Sequence, residues 1–320
     1  MASIKAISYY LPKQVLSNEE LNGLFPEWSV EKISAKTGIF NRHIAAEDEY
    51  VSTMAVNAAR NLFLESGITP DEVDFILLCT QSPDYFLPTT ACLVQDALGI
   101  PVRSGALDFN LGCSGYIYGL SLAKGLIASG DAKNVLLLTS ETYSRHLDES
   151  DKGVRTIFGD AAAATFITAE GPGGVIGKTV FGTDGRGAEN LMVRGGGMRY
   201  PDAASGRLTM NGGDIFAFTL ERVPQVVSDV LRKNELAVED IDLFIFHQAN
   251  KYMLQHLQKK LGLPEEKCVL HLADCGNTVS STIPIAIKEA GRQGRLKEGM
   301  KVLLSGFGVG YSWGATICQY

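Results

Sequence analysis

No apolar run in the chain approaches the roughly 20 residues that span a bilayer, and Met1 to Tyr10 lacks the basic start and apolar stretch of a signal peptide. A cytoplasmic protein, off the membrane, is expected. The six cysteines, at 79, 92, 113, 268, 275 and 318, contain no CxxC pair, so neither a zinc site nor a disulfide framework is indicated, and a lone working thiol remains open. There is no basic stripe, and a formal charge of -7 argues against nucleic-acid binding, which needs cations to neutralise phosphates. The glycine spacings match neither the dinucleotide nor the P-loop pattern.

What is present is a globular balance. Hydrophobic residues make up 45% and charged residues 20%, which excludes disorder. A length of 320 residues exceeds what one ordinary core fills, so two domains or one duplicated structure are expected.

A repeat supports duplication. Ile68-Thr-Pro-Asp-Glu-Val-Asp-Phe-Ile-Leu-Leu78 is echoed by Leu236-Ala-Val-Glu-Asp-Ile-Asp-Leu-Phe-Ile-Phe246. An amphipathic pattern precedes each, through Met54 to Glu65 and through Phe216 to Arg232. The apolar runs that follow are short and unalternating, as in strands buried on both faces. Further on, Ala97-Leu-Gly-Ile100 matches Lys260-Leu-Gly-Leu263, Gly112-Cys113 matches Gly276-Asn277, and Val135 to Leu138 matches Val302 to Ser305. The fold class is therefore α/β: two similar halves, 1–170 and 171–320, in helix-sheet-helix-sheet-helix layers. The repeat sets Cys113 and Asn277 at equivalent helix starts and puts His247 at the end of the strand equivalent to the one ending at Cys79.

Cys113 lies in Asn110-Leu-Gly-Cys-Ser-Gly-Tyr116, a small-residue turn between a strand and a helix. A helix N-terminus stabilises a thiolate, so this cysteine is the candidate nucleophile, and the arrangement resembles a nucleophile elbow. The other five read as structural. His247 follows the apolar strand in Phe-His-Gln-Ala-Asn250, where α/β folds gather ligand groups; a satisfied core histidine is the alternative. Asn277 reads equally as a helix N-cap or as a group facing Cys113. Gly306-Phe-Gly-Val-Gly-Tyr-Ser-Trp-Gly314 lets backbone amides approach a ligand, or forms a plain tight turn.

Taken together, Thr37-Gly-Ile, Arg42-His-Ile-Ala, Gly112-Cys-Ser-Gly, Phe158-Gly-Asp160, His247-Gln-Ala-Asn, Gly276-Asn-Thr and the closing turn with Trp313-Gly resemble the β-ketoacyl-[acyl carrier protein] synthase III family over essentially the whole chain. The resemblance implies a thiolase-like fold, a homodimer, no bound cofactor and no metal. It implies a two-stage reaction in which Cys113 takes an acyl group from a thioester, usually of coenzyme A. Malonyl on an acyl carrier protein then loses carbon dioxide, its enolate held by His247 and Asn277, and attacks the acyl-cysteine. A second oxyanion hole is implied at the amides of Cys113 and Val309.

Several positions depart from the family pattern. Val309 stands where glycine is common. Lys36 and Lys152 replace arginines that serve coenzyme A, and Trp28, matching an adenine-stacking tryptophan, is further from Lys36 than usual. Lysine keeps the charge and loses the planar fork, which makes a carrier-bound or unusual acyl donor plausible. Leu87, in Tyr85-Phe-Leu-Pro88, replaces an aromatic residue that closes the partner's acyl pocket, so starters longer than acetyl are expected. Lys251, Lys259 and Lys260 read either as a carrier-protein patch or as a solvated face. Two other functions stay open: an ester- or amide-forming transferase that keeps Cys113, and a non-catalytic partner subunit. Retention of Cys113, His247 and Asn277 opposes the second.

Overall fold

The computed structural model describes residues 1–171, 173–201 and 206–320. Five strands of the first half lie in the order Gly105–Phe109, Phe75–Cys79, Asn134–Glu141, Ala161–Thr168, Ser3–Tyr10. The second half repeats this order with Leu243–Phe246, Lys301–Gly308, Ser312–Gln319 and Val180–Thr183. Its fifth position is reduced to one parallel bridge between Phe244 and Cys268. The registers correspond as well: Phe75 pairs with Val135, and Leu243 with Val302. The short strand Gly174–Ile176 pairs with both Ser3–Tyr10 and Ser312–Gln319, so the two sheets join in a single hydrogen-bonded path.

Side-chain alternation along the buried strands builds the layers. Leu77, Val135, Leu137, Leu243, Ile245, Val302 and Leu304 face inward and pack with Tyr116, Ile117, Leu120, Ile283, Ala286 and Ile287 of the helices Gly115–Ser129 and Thr282–Arg292. These two helices form the central layer. The opposite strand faces carry Ile76, Leu78, Leu136 and Leu138 against Val51–Ser66 and Thr90–Leu98, and Phe244, Phe246 and Leu303 against Gly212–Asn234 and Lys251–Leu261. The duplicated, layered α/β arrangement expected from the repeat is what forms.

The two central helices differ at their starts. Gly115–Ser129 has 15 residues and Thr282–Arg292 has 11, preceded by a 3-10 turn over Val279–Ser281. Val279 sits at φ 54, outside the helical region, and this breaks the helix before Thr282. Among the described residues no helix is long and apolar enough to cross a membrane.

Candidate active site

Cys113 sits two residues before its helix, and Ser114 takes the N-cap position. It is 6% exposed and packs among Tyr143, Leu147, Phe158, Leu191, Leu208 and Val279. The sequence points to a thiol acidified by the helix terminus; the structure reverses that. Burial, then the negative field of Glu141, push the thiol up to about 12. The free site therefore holds a thiol, whose proton must leave as a substrate is attacked.

The glycine-rich turn closes on this cysteine. At Gly308 an added Cβ would lie 3.1 Å from Cys113 Sγ, so glycine is what lets the strand backbone approach the reacting atom. Val309 follows in the same turn, packs against the Cys113 cluster and keeps its amide. Its carbonyl accepts from the Ser312 hydroxyl at 2.9 Å, and Ser312 Oγ lies 2.6 Å from Ser114 Oγ.

His247 extends the Leu243–Phe246 strand, donating its backbone N–H to Ser305 O at 2.8 Å. Its Nδ1 lies 2.8 Å from Thr282 Oγ1. Burial pushes the imidazole down to about 3, so it is neutral in the working pH range. Asn277 is no helix cap. Its backbone is pinned between Ile157 O and Gly159 N, at 2.9 and 3.0 Å, and its Oδ1 accepts from Val279 N at 2.9 Å. Gly276 makes this bend possible: φ is 70, and an added Cβ would meet Ile157 O at 2.9 Å. The remaining amide nitrogen, Asn277 Nδ2, lies 3.4 Å from His247 Nε2.

Cys113, His247 and Asn277, distant in sequence, line one cavity of about 510 Å³ together with Trp28, Lys36 and Phe216. The indole of Trp28 is ringed by ammonium groups, with Lys36 Nζ at 4.9 Å, Lys32 Nζ at 5.3 Å and Lys152 Nζ at 5.8 Å. Lys152 also pairs with Glu27 at 2.6 Å, which occupies part of its charge. A second cavity of about 590 Å³ is bounded by Gln81, Tyr85, Phe86, Tyr143, His146 and Val309. Leu191 lines both.

The remaining candidates do not all converge. Leu87 is 86% exposed and projects from the loop, away from the chain's own cavities. Lys251 follows Asn250, a cavity residue, but Lys259 and Lys260 lie at the far end of the helix, about 12 Å further on at helical rise. Lys251 thus lies nearer the cavity than Lys259 and Lys260 do.

These features have counterparts in known proteins. Residues 107–185 match the 3-oxoacyl-[acyl-carrier-protein] synthase III model, and residues 231–320 match its C-terminal model. A β-ketoacyl-[acyl-carrier-protein] synthase III from Clostridium perfringens is 37% identical, covering 100% of both chains. The chain belongs to the 3-oxoacyl-[acyl-carrier-protein] synthase III family. It is an acyl-transferring condensing enzyme with the thiolase-like fold of that family. A crystal structure of a 3-oxoacyl-(acyl-carrier-protein) synthase III superposes with a TM-score of 0.98 at 49% identity, covering 100% of this chain and 99% of that one. The synthase III from Thermus thermophilus does so at 0.92 with 35% identity, covering 99% of each.

Sequence reading missed Thr282, Lys32 and Glu141. Thr282 had a usable signal, since it lies on the helix that Asn277 precedes. Glu141 had none, because a single acid at the end of an apolar strand reads as the first residue of a loop.

Proposed function

We propose that this synthase III family member joins an acyl group, carried on Cys113, to malonyl-[acyl carrier protein]. The thiol attacks the carbonyl of an acyl thioester, the bond to the leaving sulfur breaks, and the proton goes with the leaving thiol. Malonyl thioester then enters the same cavity. Its carbon-carboxylate bond breaks, carbon dioxide leaves, and the electron pair forms an enolate whose oxygen faces His247 and Asn277. The enolate carbon attacks the acyl carbonyl, and that oxyanion is met by the amides of Cys113 and Val309. Collapse releases a 3-oxoacyl thioester and expels the Cys113 thiolate, which takes a proton from water to return as the thiol.

The observation that carries this reading is the convergence of one thiol and two neutral nitrogen groups on a single cavity. An ester- or amide-forming transferase requires a base, and an asparagine amide is not one. The Trp28 ring with its lysines suits the adenine and phosphates of a coenzyme A donor, and the 590 Å³ cavity suits the acyl chain. We place the enzyme in the cytoplasm as a homodimer of two duplicated chains, divided near residue 170. The outer Gly105–Phe109 edge would meet its copy there, beside exposed Leu122 and Phe181. In that assembly Leu87 reaches toward the partner's acyl cavity, and Lys251 offers charge to an acidic carrier at the cavity mouth.

The test is a pair of variants. Cys113→Ala is expected to abolish acyl transfer, read by intact mass after exposure to acyl thioesters, while the fold persists. Cys113→Gln, whose amide imitates the acylated enzyme, is expected to release carbon dioxide from malonyl thioester without condensation. Acylation of Cys113→Ala would refute the assignment.

A further inference from the structure

Glu141 ends the Asn134–Glu141 strand, is fully buried, and has no part in the chemistry above. Its carboxyl oxygens accept from Gln81 N at 3.1 and 3.0 Å, from the Ser82 hydroxyl at 2.9 Å and from the Ser280 hydroxyl at 3.3 Å. Two residues earlier, on the same face of the strand, Thr139 engages the next serine: Ser281 Oγ lies 2.8 Å from Thr139 Oγ1 and 3.2 Å from Thr139 O. One strand of the first half thus grips two consecutive residues of the second.

The gripped serines follow Val279, a β-branched residue at φ 54. Such residues adopt positive φ only where their surroundings impose it. Here the conformation has a use. It aims the Val279 amide at Asn277 Oδ1, 2.9 Å away, which commits that oxygen and leaves Nδ2 facing the cavity beside His247.

We propose that Glu141 is a positioning residue: with Thr139 it clamps the strained Val279–Ser281 turn, and the turn holds Asn277 as a donor to the decarboxylating substrate. This rests on the role proposed above for Asn277. The titratable groups around Glu141 are Cys79, Cys113, Tyr143 and Asp160, none of them a cation, so its bonds are to the turns rather than to an ion-pair partner. The clamp survives protonation, since an ionised carboxyl accepts from Ser280 and a protonated one donates to its oxygen.

The test compares Glu141→Ala and Ser280→Ala, each alone and combined with Val279→Gly, because glycine takes positive φ freely. Acyl transfer from acyl-CoA to Cys113 is read by mass, and carbon dioxide release from malonyl-[acyl carrier protein] labelled in its free carboxyl. The single variants are expected to acylate within about threefold of wild type and to lose about tenfold or more of carbon dioxide release, with Val279→Gly restoring most of it. Unchanged release in both single variants overturns the proposal, as does a parallel loss of acylation or a failure of Val279→Gly to restore. Should wild type release no carbon dioxide, the role of Asn277 fails, and the clamp is judged from crystal structures. Val279 leaving positive φ in Glu141→Ala supports it; an unmoved Val279 and Asn277 overturns it.

Discussion

The Thr282 hydroxyl has one proton and two claimants, His247 Nδ1 at 2.8 Å and Val279 O at 3.1 Å. Turned to the carbonyl, it accepts from Nδ1–H and leaves Nε2 a bare acceptor for the Asn277 amide. Turned to Nδ1, it leaves the proton on Nε2, and only then do His247 and Asn277 both donate to a thioester oxygen. A neutral imidazole carries a single N–H, so the orientation of this hydroxyl and the tautomer of His247 are set together. Thr282→Val keeps the shape and removes the choice, since Nδ1–H then turns to the Val279 carbonyl. Carbon dioxide release is expected to fall roughly 100-fold with acylation of Cys113 unchanged, and Thr282→Ser to recover it. Unaltered release in Thr282→Val would show that the tautomer is set elsewhere. Because burial holds His247 at about 3, the pH profile of decarboxylation should show no acid limb near the ordinary imidazole value of about 6.5.

Among the elements, the loop after the Phe75–Cys79 strand divides its side chains between two destinations. Tyr85 and Phe86 line this chain's 590 Å³ cavity, while Leu87 points outward and is 86% exposed. Phe86 is committed to this chain's own cavity and Leu87 is not, so the neighbouring aromatic does not stand in for Leu87. In the proposed dimer, leucine would close the partner's acyl cavity with a smaller and more flexible side chain. Wild type is expected to prefer branched or medium-chain acyl thioesters over acetyl in competition for Cys113, and Leu87→Phe to shift the preference toward acetyl. Equal preference in the two proteins would remove the loop from the acyl pocket. The helix Lys251–Leu261 teaches a different lesson. Helical rise spreads its three lysines between its two ends, and Lys251 lies nearest the cavity.

At the scale of the whole molecule, no strand among the described residues pairs with the outer edge of Gly105–Phe109, and exposed edges of this kind invite pairing with another chain. Leu107, at the middle of that strand and partly exposed, would face its own copy across a twofold axis. Leu107→Lys sets like charges opposite each other; analytical ultracentrifugation is expected to show monomer, with loss of the starter preference that depends on the partner's Leu87. A dimer that persists would place the interface elsewhere. The duplication, the α/β layering and the nomination of Cys113, His247 and Asn277 were legible because a repeat and an apolar period are properties of the chain itself, and buried strands announce themselves by composition. Three things were decided only by folding. The thiol of Cys113 is raised rather than lowered, since desolvation by distant segments outweighs the local helix terminus. Asn277 forms a pinned bend instead of a cap, since Ile157 and Gly159 hold its backbone from a strand-end loop more than a hundred residues away. Glu141 joins the two halves beneath the site, since the field and hydrogen bonds around a buried carboxyl come from whatever tertiary packing brings to it, and no neighbour in sequence records them.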